Sequence, residues 1–201
     1  MKFFLVRHAQ TTANASQVIL GGKEEGRLSP RGQKQASELA RRLAKEKISE
    51  IYCSSSNRCR QTAKLVARRH MCKITFLDEL REINMGELTG LSFEKAEEKY
   101  PRVLRRLFTQ PYRKLPGGES LKDVQKRAMP VIKKLAEKPG NPTILVVAHS
   151  LVNRVILASL LGLPLNRVRS IKQKNACINL LDVKKDFAQL YTLDNSIHTI
   201  K

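Results

Sequence analysis

Two continuous apolar runs, Phe3-Phe4-Leu5-Val6 and Ile144-Leu145-Val146-Val147-Ala148, each stop at a histidine. This constrains the fold more than any other feature of the chain. A run without polar alternation reads as a strand covered on both faces, the situation of strands in a parallel sheet flanked by helices. In such sheets ligands sit outside the carboxyl ends of the strands. Arg7-His8 and His149-Ser150 would therefore stand at the functional edge. If the two strands are neighbours, the two imidazoles face each other across it. A single histidine after a strand is more often a packed residue than a reactive one. The argument rests on the pair, on Arg7, and on the hydroxyl and amide residues from Thr11 to Asn14 that follow.

The remaining chain reads as alternating strands and helices. Ala15–Leu28 is a polar loop in which Gly21, Gly22 and Gly26 loosen the backbone direction. Ser29 and Pro30 make a helix start, a capping hydroxyl followed by proline at the first helical position. Ala36, Leu39, Ala40, Leu43, Ala44 and Ile48 then recur at the spacing of one helix face. Ile51–Ser54 reads as a second strand, with Ser56 or Asn57 able to cap the helix that carries Arg58 and Arg60. Lys73–Leu77 reads as a third, and four acids follow, Asp78, Glu79, Glu82 and Glu87. Nothing in their local pattern chooses among them.

Ser92–Phe108 is expected to be helical, interrupted at Pro101. With the basic segment Gln110–Leu115 it forms a small cap insertion, about residues 91–118. Ser120 and Asp123 form a capping box for a helix whose buried stripe is Leu121, Val124, Ala128, Val131, Ile132 and Leu135. Pro130 inside that stripe predicts a kink. Ser150–Leu161 is a mostly apolar helix. Cys177–Val183 and Phe187–Leu193 read as a C-terminal hairpin turning at Lys184-Lys185-Asp186. No repeat or linker interrupts residues 1–201, which read as one domain of the α/β class.

Composition narrows the functional classes. The 38 basic against 18 acidic residues leave a net charge of +20, a field that draws anions and speeds encounter with phosphorylated molecules. It also raises nucleic-acid binding as a competing class. The cations are dispersed over most helices, aromatics are only 5% and tryptophan is absent, so stacking platforms for single strands are scarce. No specific nucleic-acid partner is expected. The four cysteines form no C-x-x-C, and neither a zinc site nor a disulfide framework is indicated. The opening residues are too short for a signal-peptide core and no run approaches membrane-spanning length, so a cytoplasmic location is expected.

Arg7-His8-Ala9-Gln10-Thr11-Thr12-Ala13-Asn14 resembles the R-H-G-x-T-x-x-N signature of the histidine phosphatase superfamily, which includes the cofactor-dependent phosphoglycerate mutases. Ser54–Ala63 is similar to its S-x-x-x-R-x-x-Q-T-A segment, which singles out Arg58. Leu80–Gly90 resembles its acidic loop, which singles out Glu82. The resemblance implies a three-layer α/β/α sandwich holding a phosphate between His8, His149, Arg7 and Arg58, with Glu82 as proton donor. Asn14, Thr11, Gly21 and Ser150 are expected at the substrate.

The substrate implied is a small phosphorylated metabolite, with neither metal nor organic cofactor. His8 would attack phosphorus, and a protonated His149 would share the neutralising charge. Two positions depart from the pattern: Ala9 and Ser150 each stand where the family has glycine. Length and the short cap favour hydrolysis over a mutase-type transfer, and Lys174–Asn179 looks like the α-ribazole phosphatase type. A non-enzymatic scaffold is disfavoured because no catalytic position of the pattern is missing. The oligomeric state is left open.

Overall fold

Side chains alternate across a strand, so one strand supplies two layers. Along β1 (Lys2–Arg7), Phe4 and Val6 face one hydrophobic core, while Phe3 and Leu5 face another. β4 (Ile144–Ala148) repeats the division, with Leu145 and Val147 on the first side and Ile144 and Val146 on the second. These two strands, the most apolar in the chain, pair in parallel at the centre of a six-stranded sheet. The computed structural model describes residues 1–22, 26–184 and 187–199.

The sheet adds β2 (Glu50–Ser54), β3 (Ile74–Leu77), β5 (Ile178–Val183) and β6 (Ala188–Asn195), in the order β3-β2-β4-β1-β5-β6. The first four run parallel. β5 runs antiparallel to β1, and β6 antiparallel to β5. The expected hairpin is therefore present, although part of its expected turn, Lys185-Asp186, lies outside the described residues.

Helices cover both faces. α2 (Pro30–Leu43) and α3 (Asn57–Ala67) pack on the first core through Ala36, Leu39, Leu43, Cys59, Ala63 and Val66. α6 (Leu121–Ala136) and α7 (Ser150–Leu160) pack on the second through Leu121, Val124, Ile132, Val152 and Ile156. The predicted starts hold: the Ser29 hydroxyl accepts from the Gly32 N–H, and Ser120 and Asp123 form a capping box. α6 runs on as one helix through Pro130.

Pro101 does divide its region, into α4 (Phe93–Lys99) and α5 (Val103–Thr109). Two expectations change. Thr12–Ala15 is a helical turn, α1, so the loop expected over Ala15–Leu28 begins one residue later. The helix reaching towards Ile48 stops at Leu43, although Ile48 remains buried.

Candidate active site

The register of the central pair builds the site. Arg7 lies opposite Ala148 in the parallel ladder, so the next residues, His8 and His149, leave the sheet side by side. The His8 N–H donates to the Ala148 carbonyl at 3.0 Å. The two rings meet edge to face with centroids 5.2 Å apart. His8 is 4% exposed, His149 fully buried and Arg58 2% exposed.

Hydrogen bonds assign the protons. His8 Nδ1 lies 2.8 Å from the Ala9 carbonyl oxygen, which only accepts. Nδ1 therefore carries the proton and Nε2 keeps a lone pair. For His149, Arg58 Nε donates to Nδ1 at 3.2 Å. A guanidinium can only donate, so His149 Nδ1 is the acceptor and its proton sits on Nε2, beside Ser54 Oγ at 2.8 Å and Ser56 Oγ at 3.1 Å. At rest His149 is thus a neutral ring, and the imidazolium expected of it concerns the phosphate-bound site. Ser56 occupies the N-cap position of α3, yet its hydroxyl caps no backbone N–H there and turns to His149 instead.

Both imidazoles are held well below the ordinary histidine pKa of 6.5. Desolvation is the largest cause, followed by the Arg58 guanidinium, with Arg7 adding to both. The fold therefore binds these rings neutral, while the unfolded chain protonates them below its own pKa. Stability is complete above about pH 6.5 and falls as the pH drops beneath it, by about 1.4 kcal/mol per pH unit for each buried ring. His149→Gln should flatten the slope of unfolding free energy between about pH 6.5 and 5, measured by denaturant titration, relative to the parent. An unchanged slope would mean that His149 titrates in the fold as it does in water.

Glu82 arrives from the loop after β3. Its Oε2 accepts from the Leu151 N–H at 3.1 Å, and its Oε1 accepts from the N–H groups of Val152 at 3.2 Å and Ile83 at 3.1 Å. The carboxylate thus fills the N-terminus of α7, where unpaired N–H groups and the helix dipole favour an anion. Arg58 Nη2 donates to the Gly21 carbonyl at 2.8 Å and Arg7 Nη1 to the Gln173 carbonyl at 2.6 Å. One nitrogen of each of these guanidiniums, and the α7 N–H groups, are thus engaged by acceptors of the chain itself.

The remaining expected residues divide. Ser150 opens α7, half-buried beside His149. Asn14 lies near the edge, its Oδ1 accepting from the Thr11 N–H and from Asn175 Nδ2, which also donates to the His8 carbonyl. Thr11 is fully buried and acts as N-cap of α1, its hydroxyl accepting from the Asn14 N–H. Threonine and asparagine three apart form a capping box here. Gly21 presents its carbonyl to Arg58 and so lies at the site. Its φ of +61° favours glycine. His198 lies away from the imidazole pair, its Nε2 on the Ala176 carbonyl at 3.0 Å.

Sequence reasoning assigned no role to Arg127. Its Nε and Nη2 clasp the Glu119 carboxylate at 2.9 and 3.0 Å, Nη1 donates to the carbonyls of Glu79 and Arg81, and Nη2 to that of Glu82. Glu119 Oε2 also accepts from the Asn84 N–H. One guanidinium thus secures both sides of Glu82. Gly22 closes the loop from below, where a Cβ would come within 2.2 Å of the Glu82 carbonyl oxygen. Among the described residues no group of three or more His, Cys, Asp or Glu is placed to hold a metal ion.

Comparison with known proteins places the chain's family and fold. The model of the histidine phosphatase superfamily (branch 1) matches residues 3–196. The chain is 30% identical to "Phosphoserine phosphatase 1" of Hydrogenobacter thermophilus, over 98% of this chain and 94% of that one. It is also 30% identical to "Probable phosphoglycerate mutase GpmB" of Salmonella choleraesuis, over 92% of this chain and 86% of that one. Among solved structures, the α-ribazole phosphatase of Shigella flexneri superposes with a TM-score of 0.87 at 24% identity, covering 98% and 97% of the two chains.

Proposed function

The chain belongs to the histidine phosphatase superfamily (branch 1), and from that membership we propose that it hydrolyses a small phosphomonoester through a phosphohistidine on His8. The observation that carries the reading is the fixed tautomer of His8. With its proton bonded to the Ala9 carbonyl, Nε2 offers a lone pair at the sheet edge beside two guanidiniums and the N-terminus of α7.

In the first step Nε2 of His8 attacks phosphorus and the ester P–O bond breaks in line with it. Arg7 and Arg58 neutralise the phosphoryl oxygens, and the nearby amide of Asn14 adds a neutral donor. Binding of the phosphate would take over the α7 N–H groups and free Glu82, which takes up a proton from solvent and gives it to the departing alkoxide. In the second step Glu82, now ionised, removes a proton from water. The water oxygen attacks phosphorus, the P–N bond breaks and its electron pair returns to His8, leaving inorganic phosphate. A bound dianion beside His149 would favour the protonated form of that ring, restoring during turnover the charge it lacks at rest. Ser150 stands beside it as a further donor.

The substrate of this chain is a small phosphorylated metabolite, with α-ribazole 5'-phosphate and sugar or nucleotide phosphates as the first esters to try. Two arginines supply the charge neutralisation that a metal otherwise supplies, so activity should survive EDTA. A screen of phosphate monoesters with chelator present checks both points. Turnover that disappears with EDTA and returns with a divalent ion would contradict the metal-free chemistry. The mutase-named relative favours a second reading, phosphoryl transfer between substrate hydroxyls. Release of inorganic phosphate in proportion to ester consumed separates hydrolysis from that. The free cysteines suit the reducing cytoplasm, where we place the protein.

The residues around α4 and α5 would serve as a cap over this edge. Arg127 would act by positioning Glu82. Arg127→Met should lower kcat about 10- to 100-fold on an alkyl phosphate, a part of the roughly 10²- to 10⁴-fold ascribed to general acid catalysis. An aryl phosphate, whose leaving group needs little protonation, should lose much less. Equal losses on the two esters would mean that Arg127 supports the fold alone.

A further inference from the structure

β1 has β4 on one side and β5 on the other, and the groups assigned to the reaction lie towards β4. Along the same edge towards β5, a cleft of about 840 Å³ opens, walled by Arg7, Arg31, Arg154, Lys172 and Lys174 together with Gln and Asn side chains. Arg7 is common to the cleft and to the site beside it. No acidic side chain lines the cleft among the described residues.

The wall is unsatisfied as well as basic. Among the described residues, the side chains of Arg31, Arg154, Lys172 and Lys174 make no hydrogen bond or ion pair. Arg7 Nε and Arg154 Nε are buried donors that no described atom accepts from. The Glu82 and Asp194 carboxylates act on Arg154 electrostatically, but Glu82 is held by the α7 N–H groups and Asp194 accepts from the Lys174 backbone N–H at 2.6 Å. Buried donors in native structures are nearly always paired, and like charges gathered round one cleft repel until an anion enters. Both features suit the binding of an anion.

We infer that this cleft binds a second anionic group of the substrate, so that the ester hydrolysed carries a phosphate or a carboxylate besides the phosphate that His8 attacks. The inference rests on the phosphatase reading above. Arg7 would bridge the two anionic groups, and the cleft has room for the carbon skeleton between them. Arg31, Lys172 and Lys174 would select the substrate without touching the reacting phosphorus.

The test compares glycerol 3-phosphate, 3-phosphoglycerate and 2,3-bisphosphoglycerate. They share a three-carbon frame and differ in carrying no second anion, a carboxylate, or a carboxylate with a second phosphate. The protein should prefer one of the latter two over glycerol 3-phosphate by about tenfold or more in kcat/KM, the scale of a lost charge-assisted contact. Which of the two is preferred identifies the second group. Arg31→Ala with Lys172→Ala should abolish that preference while leaving p-nitrophenyl phosphate turnover within about twofold.

Lys64→Ala with Lys134→Ala, an equal loss of charge at exposed positions elsewhere, should leave the preference intact. No preference in the parent, or its loss in the control pair as much as in the cleft pair, overturns the inference. If no ester is turned over at all, the phosphatase reading fails. Calorimetric titration with 2,3-bisphosphoglycerate then still decides on the cleft: binding weakened only in the Arg31/Lys172 pair supports it, and equal binding in all three proteins overturns it.

Discussion

Replacing His8 with Gln or Ala should cost on the order of 10⁴-fold or more in kcat on every phosphomonoester, the scale seen when a nucleophile is removed. Of the two imidazoles of the site, His8 keeps Nε2 free of any hydrogen bond among the described residues. His149, the other imidazole, commits Nδ1 to Arg58 and Nε2 to two serine hydroxyls, so it cannot stand in as the acceptor. The His8 ring contributes one local hydrogen bond to the fold, to Ala9. His8→Gln should therefore remain folded by circular dichroism at pH 7.5 or so, conditions in which no buried ring is driven to protonate. Full activity in a folded His8→Gln protein would overturn the mechanism.

The second large effect belongs to Glu82, and its size should depend on the leaving group. p-Nitrophenyl phosphate releases a phenolate that hardly needs protonation, whereas an alkyl phosphate releases a strongly basic alkoxide. Glu82→Gln should slow phosphoryl transfer from the alkyl ester by about 10²- to 10⁴-fold and from the aryl ester far less, as read in single-turnover rates. The same carboxylate activates water in the second step. Given the aryl ester, the variant should load His8 and stall, with a burst of nitrophenol and then little further release. Glutamine keeps an oxygen for the α7 N–H groups that Glu82 now satisfies, so the contrast reports proton transfer and not a collapsed helix terminus. Equal losses on both esters without a burst would reduce Glu82 to a loop anchor.

The layers of the fold were readable because they are written in local pattern. β1 and β4 are unbroken apolar runs, and the helix stripes recur at helical spacing with hydroxyl caps in front of them. The side-by-side exit of His8 and His149 followed from two such strands being neighbours in parallel. What the sequence concealed is set by groups distant along the chain. Arg127 and Glu119 secure the Glu82 loop from another helix, across 45 residues between Arg127 and the Glu82 carbonyl, and no local pattern marks either. The neutral state of His149 depends on which atom of Arg58 reaches it. Thr11 reads two ways because threonine followed three residues later by asparagine serves equally as a binding signature and as a helix cap. The helical turn it starts is too short to show a periodicity. The basic cleft draws residues from α2, α7 and the segment before β5, which only the completed sheet brings together.

The most direct test is to trap the intermediate. The protein is mixed with excess p-nitrophenyl phosphate, denatured in base within one turnover, digested and mapped by mass spectrometry, with Glu82→Gln run alongside to raise the trapped fraction. The account predicts phosphate on the peptide carrying His8, stable in base, lost in acid, more abundant in Glu82→Gln and absent from His8→Gln. Rapid ester turnover with no phosphorylated peptide in either the parent or Glu82→Gln, or with the phosphate on any residue other than His8, would contradict it.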